Sequence, residues 1–126
     1  MWSDVVFLNR QGASTLFPGI EIPEALKSLL AMGPSIAVIT SGKQGAFGND
    51  GIRFSSVPAF DVPVVDTTGA GDVFSAAFVY GYLNNFPLDT ALRFASGAAA
   101  LSVASIGGQS TLSSVERVNA FLGEPR

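Results

Sequence analysis

The chain has 126 residues, of which 48% are hydrophobic and 13% are charged, and its formal net charge at pH 7 is −3. This composition is too apolar for a disordered segment, and the acidic balance with scattered Lys and Arg argues against a nucleic-acid partner. Cysteine and histidine are both absent, which excludes disulfides, Cys/His zinc sites and a Ser-His-Asp triad, so any general base must be a carboxylate, a lysine or a tyrosine.

Two features of the sequence predict where the protein is located in the cell: the beginning of the chain and its most apolar stretch. Asp4, Asn9 and Arg10 interrupt the start, so no N-terminal signal peptide is visible. Residues 91–106 are the most apolar stretch, but they include Arg93 and several serines, which favours a buried helix over a membrane span. We therefore expect a cytoplasmic protein with no membrane partner.

In chain order, the first elements are two short apolar strands with a helix between them. Residues 5–8 and the β-branched run at 36–40 are typical of buried strands of a parallel sheet. Between them, an amphipathic helical pattern begins at Pro23 and ends before Gly33.

A polar loop over residues 40–45 leads into a predicted hairpin. Asn49-Asp50-Gly51 is a strong turn sequence, and the flanking segments 46–48 and 52–57 are suited to strands. Residues 62–65 predict one further short strand.

The rest of the chain predicts helices. An apolar helix is expected over residues 73–83, and a second from Pro87 to about Ser105, in which the small residues at 95–100 permit close packing. The pair Gly107-Gly108 ends it, and a capping box at residues 113–116 opens a last helix through Phe121. Strands alternating with helices predict an α/β layered fold with a mainly parallel sheet and no internal domain boundary, so residues 1–126 are one unit.

The segment of residues 66–72 carries the most chemical information. A strand followed by a Gly-Ala-Gly turn and a helix presents unpaired backbone N–H groups, and Gly69 and Gly71 let an anion approach them. Asp72 would then lie beside bound phosphate, where a carboxylate could take a proton from an attacking hydroxyl. Taken alone, Gly-x-Gly-Asp also fits a simple turn with an aspartate in the first turn of a helix. It does not match the dinucleotide fingerprint, because Phe74 stands where glycine or alanine would be needed. Elsewhere in the chain, Gly42-Lys43 is followed by Gln44 and not by Ser or Thr, so it is no Walker A loop.

The complete heptad at 66–72, Asp-Thr-Thr-Gly-Ala-Gly-Asp followed by Val-Phe, resembles the C-terminal signature of the ribokinase-like (PfkB-type) carbohydrate kinases. Residues 38–45 resemble the family's Thr-x-Gly-x-x-Gly strand and loop, residues 91–96 the segment beside the adenine, and residues 107–109 the turn that follows. The similarity extends over nearly the whole chain from about Val5. It implies a Rossmann-like, ribokinase-like fold and transfer of the γ-phosphoryl of ATP, as its Mg²⁺ complex, to a sugar hydroxyl.

The resemblance also assigns roles to single residues. It implies that Asp72 is the catalytic base, that the turn containing Gly69 supplies an anion hole from the amides of Ala70, Gly71 and Asp72, and that Ser96 lies near the adenine. The implied nucleotide phosphate contacts are Asn9, Thr40, Gly42 and Gly45. The implied ligands of a monovalent cation, K⁺ in many members, are Asp66, Thr68, Ser102, Ser105, Gly107 and Thr111. For Ser96 a helix-packing role is the alternative, and for Thr111 a polar position flanking a helix.

The chain departs from the family pattern in two ways. Where the family has Asn-x-x-Glu, with a glutamate that helps to organise magnesium, this chain has Asn9 followed by glycine at Gly12. It is also much shorter than family members and lacks the portion that carries the lid and most sugar contacts. We expect either a fragment of a longer kinase or a chain that pairs with the missing portion or with itself. A catalytically silent nucleotide-binding module and a structural or regulatory module are the alternative functions.

Overall fold

The computed structural model describes residues 5–60, 70–104, 118, 119 and 122. The chain divides into two compact units, Met1–Ala59 and Phe60–Arg126, which we call the N-terminal unit and the C-terminal unit. The described strands all lie in the N-terminal unit, and the described part of the C-terminal unit is mainly helical.

The N-terminal unit is a four-stranded sheet with two helices. Its strands are ordered β1-β2-β3-β4 across the sheet; β1 and β2 are parallel, whereas β2–β3 and β3–β4 are antiparallel. Both helices lie in the connection between the two parallel strands, and a 3₁₀ turn over Gly42–Gln44 connects β2 to β3. In chain order the elements are β1 (Val5–Asn9), α1 (Arg10–Leu16), α2 (Ile22–Leu30), β2 (Ile36–Thr40), β3 (Ala46–Asn49) and β4 (Phe54–Val57).

The predicted α/β class is confirmed, but the described sheet is mixed instead of mainly parallel. A parallel pair needs a crossover of about a dozen residues or more, which the chain between β1 and β2 provides. The loop from Ser41 to Gly45 is too short for such a crossover, so β3 must run antiparallel to β2.

The predicted hairpin is confirmed, with a turn that its own side chains stabilise. The carboxylate of Asp50 accepts hydrogen bonds from the amides of Ile52 (2.9 Å) and Arg53 (2.8 Å). Gly51 has a φ of +87°, in the left-handed region that glycine adopts without strain. The sequence Asn-Asp-Gly therefore fixes the register of β3 against β4.

One apolar core joins the two helices to the sheet. Ala37 and Ile39, alternate residues of β2, are fully buried with Leu26 of α2, which has no exposed surface. Ala13 of α1 belongs to the same cluster, and this contact holds α1 close to the carboxyl ends of β1 and β2. Burial of a leucine-sized side chain contributes about 1.5–3 kcal/mol, so this cluster sets the position of the loops that follow the strands.

The described part of the C-terminal unit consists mainly of two helices in close contact, α3 (Ala70–Leu83) and α4 (Leu88–Ala104). A Cβ atom built at Gly81 would lie 2.8 Å from the ring of Phe86 and 3.3 Å from the Cβ of Ala91, so the glycine permits this packing. A Cβ at Gly97 would lie 3.0 Å from a methyl group of Leu122. The expectation that small residues of α4 permit close packing is therefore confirmed.

Several predicted elements lie outside the described residues. They are the strand at 62–65, the Gly107-Gly108 turn and the start of the last helix at 113–116; Val118, Asn119 and Leu122 of that last segment are described, and they are helical. Helix α4 begins at Leu88, one residue after the predicted Pro87. In the segments that the structure describes, no helix is both long and apolar enough to cross a membrane.

Candidate functional site

Two of the predicted nucleotide-binding residues meet at one edge of the sheet. Asn9 is the last residue of β1 and Thr40 the last of β2, and the two are direct partners in the parallel register. The carboxyl ends of parallel strands are where open α/β sheets bind ligands. The sequence assigned both residues to the same site, and the topology brings them together.

The side chain of Asn9 begins helix α1. Its Oδ1 atom accepts a hydrogen bond of 2.7 Å from the amide of Gly12, which makes Asn9 the N-cap. The Nδ2 group of Asn9 remains as a hydrogen-bond donor at an exposed position. A Cβ atom at Gly12 would lie 3.2 Å from that Oδ1, so a larger residue at position 12 would have to shift the cap.

The loop after β2 is held by its own backbone. The amide of Ser41 donates to the carbonyl of Gly45 at 2.8 Å, and the amide of Gln44 donates to the carbonyl of Ser41 at 2.8 Å. In the described part of the chain, the amides of Gly42 and Lys43 donate to no acceptor. Two successive N–H groups of this kind can bind an anion.

The two glycines of the loop differ in what surrounds the position of a Cβ atom. Gly45 has a φ of +98°, and a Cβ there would lie 2.0 Å from the carbonyl oxygen of Val57 and 2.9 Å from the Cα of Pro58. Gly42 has a φ of +47°, with no described atom within 4 Å of a Cβ. Gly45 is therefore required by the fold itself, whereas no atom of the described residues fills the space at Gly42.

Arg10 belongs to the same cluster of residues, although no motif in the sequence indicated it. Its guanidinium donates hydrogen bonds to the Oε1 of Gln44 and, at 3.5 Å, to the hydroxyl of Ser41. The Ser41 hydroxyl also donates to that Oε1 at 2.9 Å. The two contacts of Arg10 join residues more than thirty positions apart in sequence, so the only sequence signal for them was the position of Arg10 directly after a strand.

In the C-terminal unit, the start of α3 falls where the anion hole was predicted. Ala70, Gly71 and Asp72 are the first three residues of this helix. The first amides of a helix lack partners within it, and the helix dipole adds positive potential at that end. No described atom lies within 4 Å of a Cβ built at Gly71, and Asp72 is exposed. This arrangement can bind an anion and place a carboxylate beside it.

Packing fixes the first turn of α3. Val73 packs against a cluster that includes Phe94 and Ala98 of α4, and Phe74 and Phe78 are almost completely buried. Asp72 precedes these anchored residues and lies on the exposed side. The backbone at Asp72 is thus positioned by buried contacts while its carboxylate faces solvent.

Ser96 lies on α4 and is half buried. Its neighbours Ala95 and Gly97 are buried, and Gly97 is packed against Leu122 and Val118. Adenine contact and helix packing therefore both stay predictions for Ser96.

The cation site is almost entirely outside the described residues. Of its six predicted ligands only Ser102 is described, in the last turn of α4; the others are Asp66, Thr68, Ser105, Gly107 and Thr111, and Gly69 of the turn is likewise outside. Among the described residues, no group of three or more acidic side chains could hold a metal ion.

Comparisons with known proteins decide the family. A model described as pfkB family carbohydrate kinase matches residues 2–115. The chain belongs to this family. The family and the ribokinase-like fold that the sequence predicted are thereby confirmed.

The pfkB relatives are much longer than this chain. The chain is 43% identical over 114 residues to a ribokinase of Bacillus subtilis, which covers 90% of the chain and 38% of that protein. A crystal structure of a ribokinase from Thermotoga maritima matches with a TM-score of 0.79 and 31% identity, over 96% of the chain and 42% of the other. A candidate Ribokinase II from E. coli in complex with ATP and Mg²⁺ matches with a TM-score of 0.82 and 26% identity, over 95% and 39%. The chain thus spans about 40% of the length of the relatives it matches.

Proposed function

We propose that the chain is the nucleotide-binding and catalytic C-terminal part of an ATP-dependent kinase that phosphorylates a sugar hydroxyl. The observation that carries the proposal is the start of α3, where Ala70, Gly71 and the exposed Asp72, the last residues of the family signature, form the beginning of a helix. The membership in the pfkB family and the ATP complex of the E. coli relative support the choice of ATP as the phosphoryl donor.

In the proposed reaction, Asp72 accepts the proton of the sugar hydroxyl as its oxygen attacks the γ-phosphorus of ATP. The bond from that phosphorus to the bridging oxygen breaks, and ADP leaves. The amides of Ala70, Gly71 and Asp72 stabilise the negative charge on the transferring group. Such proton transfer typically contributes about 10²–10⁴-fold to the rate.

The N-terminal unit contributes nucleotide phosphate contacts in this proposal. Asn9 offers the donor Nδ2, and Gly42 and Lys43 offer backbone amides. The role proposed for Thr40 depends on its place beside Asn9 at the strand ends. Gly45 acts by shaping the loop, because its lack of a side chain is already required by Val57 and Pro58.

Magnesium fits this chain as an ion carried by the nucleotide. Mg²⁺ usually keeps several waters and binds through substrate phosphates with one or two carboxylates. Position 12 offers no carboxylate, and the residues that the structure describes contain no cluster of three or more acidic side chains that could hold the ion. When bound, the ion would neutralise charge on the phosphate chain. A K⁺ site at the predicted ligands, with Ser102 among them, remains part of the proposal.

The remaining parts of the proposal concern partners and location. We propose that residues 1–126 belong to one kinase domain, which works in the cytoplasm on a sugar or sugar-like molecule. Side chains such as Leu16, Met32 and Leu83 are 53%, 69% and 71% exposed. These apolar surfaces support pairing with the portion that the relatives have in addition, or self-association.

The second candidate function is a nucleotide-binding module without catalysis. It is favoured by Gly12, which stands where the family has its glutamate, and by the 38% share of the B. subtilis ribokinase that the chain covers.

Calorimetric titration of the chain with ATP, ADP and GTP, each with Mg²⁺, tests nucleotide binding. We expect weak binding of ATP and ADP that is detectable at millimolar nucleotide. Absence of binding at millimolar nucleotide would contradict both candidate functions. To test catalysis, the chain is joined to the N-terminal portion of a longer pfkB relative and assayed for sugar-dependent ADP release. Nucleotide binding without ADP release would favour the nucleotide-binding module without catalysis.

A further inference from the structure

The guanidinium of Arg10 has a fixed place next to the predicted phosphate loop. Arg10 is the first residue of α1, directly after the strand end at Asn9. Its hydrogen bonds to Gln44 and Ser41 hold it against the loop of residues 41–45. Both contacts use the Nη1 atom, which leaves donors on Nε and Nη2 for another acceptor.

The charge of Arg10 is not balanced by a carboxylate in the described residues of the N-terminal unit. Its two partners are a neutral amide and a neutral hydroxyl. Glu24 lies 3.8 Å from Lys27, in an exposed ion pair, and the Asp50 carboxylate is occupied by the hairpin amides. Arg10 is also exposed, so an anion can reach it.

The surroundings of Arg10 are suited to phosphate. The Nδ2 of Asn9 and the amides of Gly42 and Lys43 are further donors on the adjoining strand end and loop. Arginine presents a planar fork of donors that matches a phosphate group, and such charge-assisted hydrogen bonds are stronger than neutral ones. A purely structural link to Gln44 would need only a neutral donor.

We propose that Arg10 binds the phosphate chain of the nucleotide and thereby makes binding selective for nucleoside di- and triphosphates over nucleosides. This inference rests on the proposed function and adds a residue to it. Arg10 supplies positive charge at a strand end where position 12 supplies no carboxylate to recruit a metal ion. Its contribution therefore persists when magnesium is removed.

The test compares the binding of three ligands to the chain and to two matched variants. Dissociation constants for ATP, ADP and adenosine are measured by calorimetry on the chain, on Arg10→Gln and on Arg53→Gln, each with Mg²⁺ and with EDTA. Arg53 is an exposed arginine whose hairpin contacts involve only its backbone, so its replacement removes the same charge elsewhere. We expect Arg10→Gln to weaken ATP binding about tenfold or more, equivalent to about 1.4 kcal/mol, in both metal conditions. Adenosine binding should not change, and Arg53→Gln should match the wild type.

Two further measurements separate phosphate binding from loop structure. Arg10→Lys keeps the charge without the fork and should lose less affinity for ATP than Arg10→Gln. Gln44→Ala removes the anchor of the guanidinium and should also cost less than Arg10→Gln. An equal loss for ATP and adenosine in Arg10→Gln, or unchanged ATP binding, would overturn the role of Arg10 while leaving the proposed function intact. If the wild-type chain binds none of the three ligands, the proposed function fails together with this inference.

Discussion

Replacement of Gly45 by alanine tests whether the phosphate loop depends on close backbone packing. The new Cβ would lie 2.0 Å from the carbonyl oxygen of Val57, 2.9 Å from the Cα of Pro58 and 3.0 Å from the amide nitrogen of Ala59. All three are backbone atoms, which cannot move aside as a flexible side chain can. The φ of +98° adds strain of about 1–3 kcal/mol for a residue with a side chain. Overpacking costs about 1–3 kcal/mol more.

We therefore expect Gly45→Ala to destabilise the N-terminal unit by about 2–6 kcal/mol, a large part of the total stability of an ordinary domain. Hydrogen–deuterium exchange of β2 is the appropriate assay, because Val38 and Ile39 are fully buried and report opening of the core. Their exchange should accelerate about thirtyfold or more, since each 1.4 kcal/mol corresponds to about a factor of ten.

Gly42→Ala is the matched control for this prediction. Gly42 lies in the same loop with a φ of +47°, but nothing described is within 4 Å of its Cβ position. Only the backbone strain of about 1–2 kcal/mol should appear there. Equal exchange rates in the two alanine variants would refute the argument that Gly45 is required by contact with residues 57–59.

The remaining predictions concern packing and association. Gly97→Val places its Cβ 3.0 Å from Leu122 and 3.5 Å from Val118, and should destabilise α4 by about 1–3 kcal/mol, measured by amide exchange of its buried residues. Wild-type stability in this variant would mean that the segment around Leu122 does not pack on α4. The isolated chain should form dimers or larger assemblies in light scattering because Leu16, Met32 and Leu83 are exposed, and a monomer at every concentration would contradict this.

Turn chemistry and apolar patterns predicted most of the described fold. Asp50 and Gly51 determine the hairpin through local interactions. The Asp50 carboxylate accepts hydrogen bonds from amides within three residues of it, and Gly51 adopts the positive φ that the turn requires. Pro23 placed the start of α2 to within one residue, since that helix begins at Ile22. These elements are determined by neighbours in sequence, which is why the sequence alone was sufficient.

Helix α1 was not predicted, and the beginning of α3 was predicted three residues late. α1 is a seven-residue helix with Gly12 in its first turn, and its stability comes from the Asn9 cap and from the burial of Ala13 in the core. Helix propensity gives no indication of it, since glycine costs about 1 kcal/mol relative to alanine. In α3, the residues before Val73 were interpreted as a turn because of Gly71, whereas the helix begins at Ala70.

The candidate site was predicted in part, for similar reasons. Strand ends are predictable, so Asn9 and Thr40 were found together with the loop that follows. The role of Arg10 depends on a contact with Gln44, 34 residues away, and no local pattern reports such a contact. The close approach of Val57 to Gly45 was equally invisible in the sequence.

Turnover of an Asp72→Asn variant tests the central claim most directly. The chain, joined to the N-terminal portion of a longer pfkB relative to complete the domain, is assayed for sugar-dependent ADP release with a panel of sugars. Asn keeps the size of Asp72 and one acceptor oxygen, but its amide cannot take up the proton, so turnover should fall by about 10²–10⁴-fold while the dissociation constant for ATP stays within about twofold. Wild-type turnover in Asp72→Asn would contradict the assignment of Asp72 as the base.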